Sequence, residues 1–281
     1  MSSVSRRLAG GAAIVVVLGV AGTVAARTYT TNDVWHAPLR VCADPNNMPF
    51  SNDREQGFEN RIASLIAADL RVPLEYDWRP QRRGFIRNTL SEGDCDVVMG
   101  VPASYDLVLP TVSYYQSTYV FVTRADRHLG IRSFDDPTLR RLRVGIHMMG
   151  EDYENSPAAT ALMRRGLTSR IVPFMIYGDY STNSPPSDLI TAVARDDVDV
   201  AVAWGPLAGY YAARSPVPLT VTPVSPSIDT PFLPFVFPIS MGVRHGDTTR
   251  RAMLDTELVR HAADIRRILD EYDVPRAGTA R

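Results

Sequence analysis

From residue 39 onward, the chain alternates between short apolar runs and segments whose apolar residues recur at four-residue spacing. Leu39–Ala43 and residues 96–100 are apolar runs typical of strands that are covered on both faces. Phe58, Ile62 and Ile66 recur at four-residue spacing, which predicts an amphipathic helix packed on a core. Because strands and helices alternate in this way, we predict an α/β fold.

The same alternation continues along the rest of the chain. Strands are predicted at residues 74–77, 118–123, 143–147, 172–177 and 198–204, and helices at 82–91, 157–165, 187–195 and 248–272. Seven prolines lie between positions 216 and 238. Because a segment so short of amide donors should not sit inside a sheet, we predict an extended connection there, followed by a strand at 239–244.

The length of the chain, 281 residues, exceeds that of one average domain, and the pattern predicts two α/β lobes. One lobe is discontinuous, with residues 36–120 and 239–281, and the other spans 121–238 with the proline-rich segment. Two lobes with two crossover segments define the periplasmic solute-binding architecture of type II. LRVCADPNNMPFSN (39–52) and GFENRIASLIAADL (57–70) resemble the first strand, cleft loop and first helix of that superfamily.

The first 26 residues have the pattern of a secretory signal peptide. Arg6 and Arg7 precede an uncharged run that ends in the small residues Val24, Ala25 and Ala26, which predicts export to the periplasm with cleavage after Ala26. The run is long enough that an uncleaved membrane anchor stays an alternative. Removing the leader takes two of the 30 basic residues and none of the 31 acidic ones, which leaves a net charge of −3. This balance gives no indication of nucleic-acid binding.

Cys42 and Cys95 are the two cysteines of the chain. An even number of cysteines in an exported protein favours pairing, and the two residues belong to strands that we expect to be neighbours. We therefore predict a disulfide between them, with two unpaired buried thiols as the alternative.

The segment 76–100 joins a strand end, an arginine-rich turn and a buried strand. Trp78, Arg79, Arg82 and Arg83 lie where a strand passes into the next element, and in open α/β sheets that edge meets ligands and partners. The same reasoning, applied to the other strand ends, predicts a ligand or partner cleft formed by Asp44, Asn46, Asn47, Phe50, Trp78, Arg82, Arg83, Pro102, Tyr105, Tyr114, Glu151, Asp152, Tyr180 and Trp204.

The resemblance to this superfamily also indicates what the cleft lacks. Its amino-acid receptors hold the ligand carboxylate with an arginine after the second core strand, but residues 102–106 contain no guanidinium. They hold the ligand amine with an aspartate where this chain has Trp204. Glu151 and Asp152 would repel an anionic ligand and fit a cation, a partner arginine or solvent.

Neither a metal site nor an active site has a pattern of its own in the sequence. The histidines are scattered and no compact acidic loop is present, so we predict no bound metal. Asp44 opposite Glu151 or Asp152 could be drawn as an acid and base pair, but only their position supports this. We therefore predict no catalytic residues.

Several strings together resemble a narrower group. They are WRPQRRGFIRNTL (78–90), GDCDVVMGVP (93–102), YYQSTYVFV (114–122), YGDY (177–180) and WGPLAGYY (204–211), and they are similar to the XoxJ/MxaJ group of quinoprotein-dehydrogenase-associated solute-binding-like proteins. The resemblance implies a non-catalytic accessory protein, without a cofactor of its own. The implied partners are a PQQ-dependent methanol dehydrogenase and, as a second candidate, its c-type cytochrome.

Two other functions stay open at the level of sequence. The first is an ABC-transporter substrate-binding protein whose small neutral or aromatic ligand lies between Trp78, Tyr105 and Trp204. The second is a dehydratase-like enzyme on the same fold. The Trp78–Arg83 segment is the leading candidate for partner contact, and the alternative for its arginines is that they cap carboxylates within the lobe.

Overall fold

The computed structural model of the chain describes Trp35 and residues 37–148, 156–175 and 185–275. The predicted signal peptide, residues 1–26, lies outside the described residues, as do Glu151, Asp152 and Tyr180 of the predicted cleft. Within the described ranges, no helix is both long and apolar enough to cross a membrane.

Ten strands of the described part form one mixed sheet, and two short ribbons of two strands each lie outside it. In chain order the strands are β1 (Leu39–Ala43), β2 (Asn46–Asn47), β3 (Ser51–Asn52), β4 (Leu74–Trp78), β5 (Val97–Pro102), β6 (Leu109–Pro110), β7 (Tyr115–Arg124), β8 (Val144–Met148), β9 (Ile171–Met175), β10 (Val200–Trp204), β11 (Leu219–Pro223), β12 (Ile228–Asp229), β13 (Leu233–Pro234) and β14 (Val236–Val243).

The helices cover both faces of the sheet. They are α1 (Phe58–Leu70), α2 (Pro157–Arg164), α3 (Asp188–Ala194), α4 (Gly205–Ala213), α5 (Thr248–Arg260) and α6 (Ala262–Glu271). The bounds of β1 are those that the apolar pattern predicts, and α1 contains the residues whose four-residue spacing predicts a helix. The predicted C-terminal helix is divided in two at His261, which ends α5 and precedes α6.

The strand order of the main path is β4-β1-β5-β14-β7-β10-β8-β9. The first four strands are called the first half of the sheet here, and the last four the second half. The long strand β7 joins the halves, since residues 115–118 pair with β14, whereas residues 119–124 pair with β10 and β11. The predicted lobe boundaries, at residues 120/121 and 238/239, stay a prediction.

Each half of the sheet has its own buried core. In the first half, Phe58, Ile62 and Ile66 of α1 pack with residues of β1, β5 and β14. In the second half, one cluster lies under α2 and another lies under α3 and α4. The apolar faces that the sequence pattern indicates are therefore buried separately in each half of the sheet.

Asp96 binds three arginines that come from distant parts of the chain. Its buried carboxylate accepts hydrogen bonds from Arg40 Nε and Nη2 at 3.0 and 2.9 Å and from Arg244 Nη2 at 3.1 Å. Arg250 Nη1 lies 2.9 Å from the same oxygen as Arg244. Burial alone would raise the pKa of Asp96, but the hydrogen bonds from Arg40 and Arg244 outweigh it and the pKa is lowered.

Cys42 and Cys95 form a disulfide, which confirms the predicted pairing. It joins β1 to the residue two positions before β5, and it lies in a small cluster with Phe85, Ile86 and Leu90. The bond therefore fixes the arginine-rich segment onto the sheet as well as joining the two strands.

The predicted helix over residues 82–91 is wrong. The segment runs instead as successive turns, in which Phe85 N donates to Arg82 O at 2.9 Å and Asn88 N donates to Gly84 O at 2.9 Å. Gly84 adopts a φ of +81°, which is incompatible with a regular helix through this position. Packing on the disulfide cluster then decides the shape of the segment.

The prediction that the proline-rich segment stays outside the sheets is also wrong. β11 pairs with β7 as an edge strand, and β14 contains Pro238. Pro238 has no amide to donate, but its carbonyl oxygen accepts a hydrogen bond from Ala103 N at 3.0 Å.

We expect the Asp96→Asn substitution to lower the free energy of unfolding by about 2–3 kcal/mol, because it removes the shared charge of three arginine contacts. Urea unfolding at neutral pH measures the change. The control is Asp126→Asn, which breaks the exposed pair with Arg124 and should have a much smaller effect. Equal effects of the two substitutions would contradict the importance of Asp96.

Replacing both cysteines by alanine should also destabilise the protein. The disulfide closes a loop with a sequence separation of 53, and opening such a loop costs about 2–4 kcal/mol. Urea unfolding of the double variant, compared with that of the reduced and the oxidised wild-type protein, measures this loss. A double variant as stable as the oxidised protein would show that the cross-link adds nothing to packing.

Candidate functional site

The ends of strands from the two halves of the sheet face each other along β7. At the end of β5, Pro102 pairs with Ile239 of β14, which in turn pairs with Tyr115 of β7. At the end of β10, Trp204 pairs with Tyr119 of β7. Four residues of an extended strand span about 13 Å, so the two strand ends are offset by roughly this distance along β7 and lie on opposite sides of it.

Asp44 anchors the loop that follows β1. Its Oδ1 accepts a hydrogen bond from Asn46 N at 2.8 Å, and its Oδ2 accepts one from Gln81 N at 2.7 Å. Asn47 Nδ2 adds a hydrogen bond of 3.3 Å to Gln81 Oε1. The buried carboxylate thus holds the loop 44–52 against the arginine-rich segment, and both of its oxygens serve a structural purpose.

Phe50 and Met48 bring this loop into contact with the second half of the sheet. Phe50 packs against the core of each half, with its ring 5.4 Å from that of Phe58. Tyr211 of α4 donates a hydrogen bond from its hydroxyl to Met48 O at 3.2 Å. The loop therefore bridges the two halves on this side of the site.

Trp204 belongs to an aromatic cluster with Tyr119 and Phe237. Its ring lies 5.5 Å from Tyr119 and 5.9 Å from Phe237, both in edge-to-face geometry. Burial raises the pKa of Tyr119 to about 12, so its hydroxyl stays neutral at physiological pH. Among the described residues, the end of β10 is thus lined by neutral aromatic side chains.

The Trp78–Arg83 segment combines fixed and exposed side chains. Trp78 stacks on Tyr76 with a centroid distance of 4.4 Å. Arg79 pairs with Asp77 at 3.2 Å and Asp94 at 2.7 Å, as expected if it caps carboxylates of its own lobe. Arg82 and Arg83 are exposed on the turn that follows, so their predicted contact with a partner stays a prediction.

Pro102 ends β5, Tyr105 follows it, and Tyr114 lies just before β7 in contact with Gly100 of β5, while their membership of a cleft stays a prediction. Tyr105 is 37% exposed, and its amide donates to Pro102 O at 3.0 Å. Tyr114 Oη accepts a hydrogen bond from Gly100 N at 3.2 Å, and burial raises its pKa well above the usual value. Only Tyr105 of these three presents a large exposed surface.

Sequence reasoning missed Glu59, a buried carboxyl group beside this edge. Burial raises the pKa of Glu59 to about 8, so it is largely protonated at neutral pH. The carboxyl group fits against Gly100, where an added Cβ would lie 2.3 Å from Glu59 Oε1. One sequence signal could have indicated its burial, because Ala63 and Ala67 follow Glu59 at four-residue spacing and so share its face of the helix. The structure buries both alanines.

His147 is the corresponding buried ionisable residue near a strand end in the second half of the sheet. It lies near the end of β8 and is buried, and its Nε2 has no hydrogen-bond partner within the described ranges. Burial lowers the pKa of His147 to about 4, which keeps the ring neutral at physiological pH. The residue adds no charge to the site.

A group of possible metal ligands lies away from these strand ends. His261 Nε2 is 3.6 Å from an Asp69 oxygen and 3.8 Å from a Glu257 oxygen. Arg260 Nη1 donates to those same carboxylate oxygens of Asp69 and Glu257. Its guanidinium therefore supplies the positive charge that the two acidic groups need.

The mixed sheet and the facing strand ends define a periplasmic binding protein of the type II solute-binding fold, in agreement with the predicted fold class. No protein-family model matches the chain. Protein MoxJ of Methylorubrum extorquens strain AM1 is 34% identical over 244 residues, which cover 84% of this chain and 81% of that protein.

Two solved structures agree with this relationship. The crystal structure of MxaJ from Methlophaga aminisulfidivorans MPT has a TM-score of 0.74 and 26% identity, covering 85% of this chain and 99% of that one. The periplasmic binding protein XoxJ from Methylobacterium extorquens AM1 has a TM-score of 0.69 and 36% identity, with coverage of 86% and 100%. The chain belongs to the MoxJ, MxaJ and XoxJ family, which confirms the resemblance drawn from its motifs.

Glu59 gives the site a measurable pH dependence. The folded protein keeps this proton up to about pH 8, whereas an ordinary glutamate loses it near 4.5, so the free energy of unfolding falls as pH rises between these values. In Glu59→Gln the group cannot ionise, and we expect the fall between about pH 5.5 and about pH 8.5 to be smaller by up to about 3 kcal/mol.

Urea unfolding of both proteins at about pH 5.5 and about pH 8.5 tests this expectation. Glu257, whose pKa burial raises to about 7, contributes to the slope of both proteins, so the difference between them isolates Glu59. Parallel pH profiles would mean that Glu59 ionises normally.

Proposed function

We propose that the protein is a non-catalytic periplasmic accessory protein that binds a PQQ-dependent methanol dehydrogenase and helps it to mature or become active. Membership of the MoxJ, MxaJ and XoxJ family is the observation that carries the proposal, since the resemblance to this group implies that role. The c-type cytochrome of that dehydrogenase is the second candidate partner. Export through the predicted signal peptide would place the protein in the same compartment.

The described site supports binding of a protein segment better than binding of a small charged ligand. The end of β10 presents Trp204 within an aromatic cluster, where amino-acid receptors of the superfamily are expected to use an aspartate. Asp44 holds backbone amides and Arg79 pairs with two aspartates. Aromatic and arginine side chains around such an edge are typical of protein interaction surfaces.

The proposed mechanism is a shift of population in the dehydrogenase. The two predicted lobes would enclose a projecting segment of the apo enzyme and favour the conformation that accepts PQQ and metal. Phe50 and Tyr211 support this mechanism, because a loop that touches both halves of the sheet can respond to their separation. No covalent step by this protein is required.

A titration of the purified mature protein into apo methanol dehydrogenase tests the proposal. Binding and dye-linked dehydrogenase activity are followed together. We expect a saturable rise in activity with a measurable affinity. Absence of binding to both the apo and the holo enzyme would reject the accessory role and favour a receptor for a small neutral or aromatic ligand. Turnover of a substrate by this protein alone would favour the dehydratase-like alternative.

Changing Arg82 and Arg83 together to alanine should weaken binding to the dehydrogenase by about tenfold or more, because arginine is frequent among the residues that dominate interface energies. The same titration measures the effect, and thermal unfolding checks that the variant is folded. Arg140→Ala, which removes an exposed arginine next to the second core, is the control and should bind like the wild type. If the double variant is folded and binds with unchanged affinity, this segment is not the contact.

A further inference from the structure

The ribbon formed by β12 and β13 exposes a phenylalanine at its tip. Phe232 is 95% exposed, the largest exposed fraction among the large apolar side chains of the described residues. Ile228, at the start of the same ribbon, is 58% exposed. Between the strands the chain turns through Thr230 and Pro231.

Phe232 is unfavourable for the isolated protein in two respects. Its φ of +56° lies in the left-handed region, which costs a bulky residue roughly 1–2 kcal/mol. Its ring also gains nothing from burial, although burying such a side chain is worth about 1.5–3 kcal/mol. Asparagine or glycine would suit the backbone better, so the folding of this chain does not explain the phenylalanine.

The base of the ribbon is rigidly held. Asp229 is buried and accepts hydrogen bonds from Arg165 Nη1 and Nη2 at 2.7 and 2.9 Å. Arg165 also binds both carboxylate oxygens of Asp135, at 2.8 and 3.1 Å. Phe235, just after β13, is fully buried in the second core. A side chain on such a base loses little conformational freedom when it binds, which favours affinity.

The charges around the tip indicate the chemistry of its partner. Arg165 is neutralised by two aspartates, and the neighbouring Arg164 donates a hydrogen bond to Thr230 O at 3.2 Å. A lipid-inserting tip would need several apolar side chains beside basic groups available for anionic headgroups. The single ring on a nearly neutral base instead matches an apolar pocket in a folded protein.

We propose that the Phe232 tip is a docking element that inserts its ring into an apolar pocket on the surface of the partner protein, outside the strand-end site. This inference rests on the proposed function for the identity of the partner, the methanol dehydrogenase. The pocket would be of aromatic size, with an uncharged floor. The tip then provides a second point of attachment, whose strength depends on buried apolar area rather than on charge.

The test compares the wild-type protein with Phe232→Asn in binding to purified apo methanol dehydrogenase. We expect the affinity to fall by about tenfold or more, while the thermal midpoint stays equal or rises, because asparagine accepts the left-handed backbone. Phe232→Tyr, which keeps the ring, should bind within about threefold of the wild type. Val259→Ala, at an exposed apolar position of α5, is the matched control and should bind normally.

Each other outcome overturns the inference in a different way. Equal binding of wild type and Phe232→Asn would reject the docking element alone and leave the proposed function intact. Failure of the wild type to bind would reject both. A lower thermal midpoint of Phe232→Asn would assign the ring a structural role. Loss of dimerisation in the variant, or of co-sedimentation with phosphatidylcholine and phosphatidylglycerol vesicles, would identify a second copy or a lipid surface as the true partner.

Discussion

The arrangement of the first half of the sheet depends on the carboxylate of Asp96. Three guanidinium groups reach it from β1, from the end of β14 and from α5, so one buried charge joins the beginning of the described chain to its end. A buried carboxylate pays a large desolvation cost, which is offset only by several well-placed partners. Asp96 has them because the chain returns through β14 to lie beside β5. The return of the chain to β5 therefore brings Arg244 and Arg250 to this carboxylate.

This constraint also positions the candidate site. Asp96, through Arg40, and the Cys42–Cys95 disulfide fix β1 and the start of β5 relative to each other, so the ends of the two strands are fixed too. Asp44 follows the end of β1, and Gly100 lies near the end of β5, where Glu59 fits against it. Held in this way, the loop 44–52, which carries the short ribbon of β2 and β3, meets α4 of the second half.

The sequence allowed the fold to be predicted where local pattern and tertiary packing agree. β1 has the predicted bounds, and α1 contains the apolar residues at four-residue spacing that predicted it, because both elements face one core. Prediction failed at residues 82–91, where Gly84 and the packing of Phe85 on the disulfide override helical spacing. It failed again in the proline-rich segment, where β11 and residues 236–238 of β14 pair with β7 although prolines lie among them.

The candidate site was predictable in outline and not in its chemistry. The pattern of strands places Asp44, Pro102 and Trp204 at strand ends, where the structure also has them. It does not predict that backbone amides donate to both Asp44 oxygens, because these bonds depend on the path of the loops. Glu59 was hidden in the first turn of an amphipathic helix, where an acidic residue is common without being buried.

The exposure of Phe232 could not be predicted, because a large apolar residue is by default expected in the core, whereas the structure places this one at the surface. Many arginines of the chain form ion pairs with aspartates of the same chain, as Arg79 and Arg165 do. Phe232, in contrast, is an exposed aromatic side chain that takes no part in such ion pairs. A partner that presents an apolar pocket to Phe232, and a segment to the strand ends, would use what this fold has left exposed.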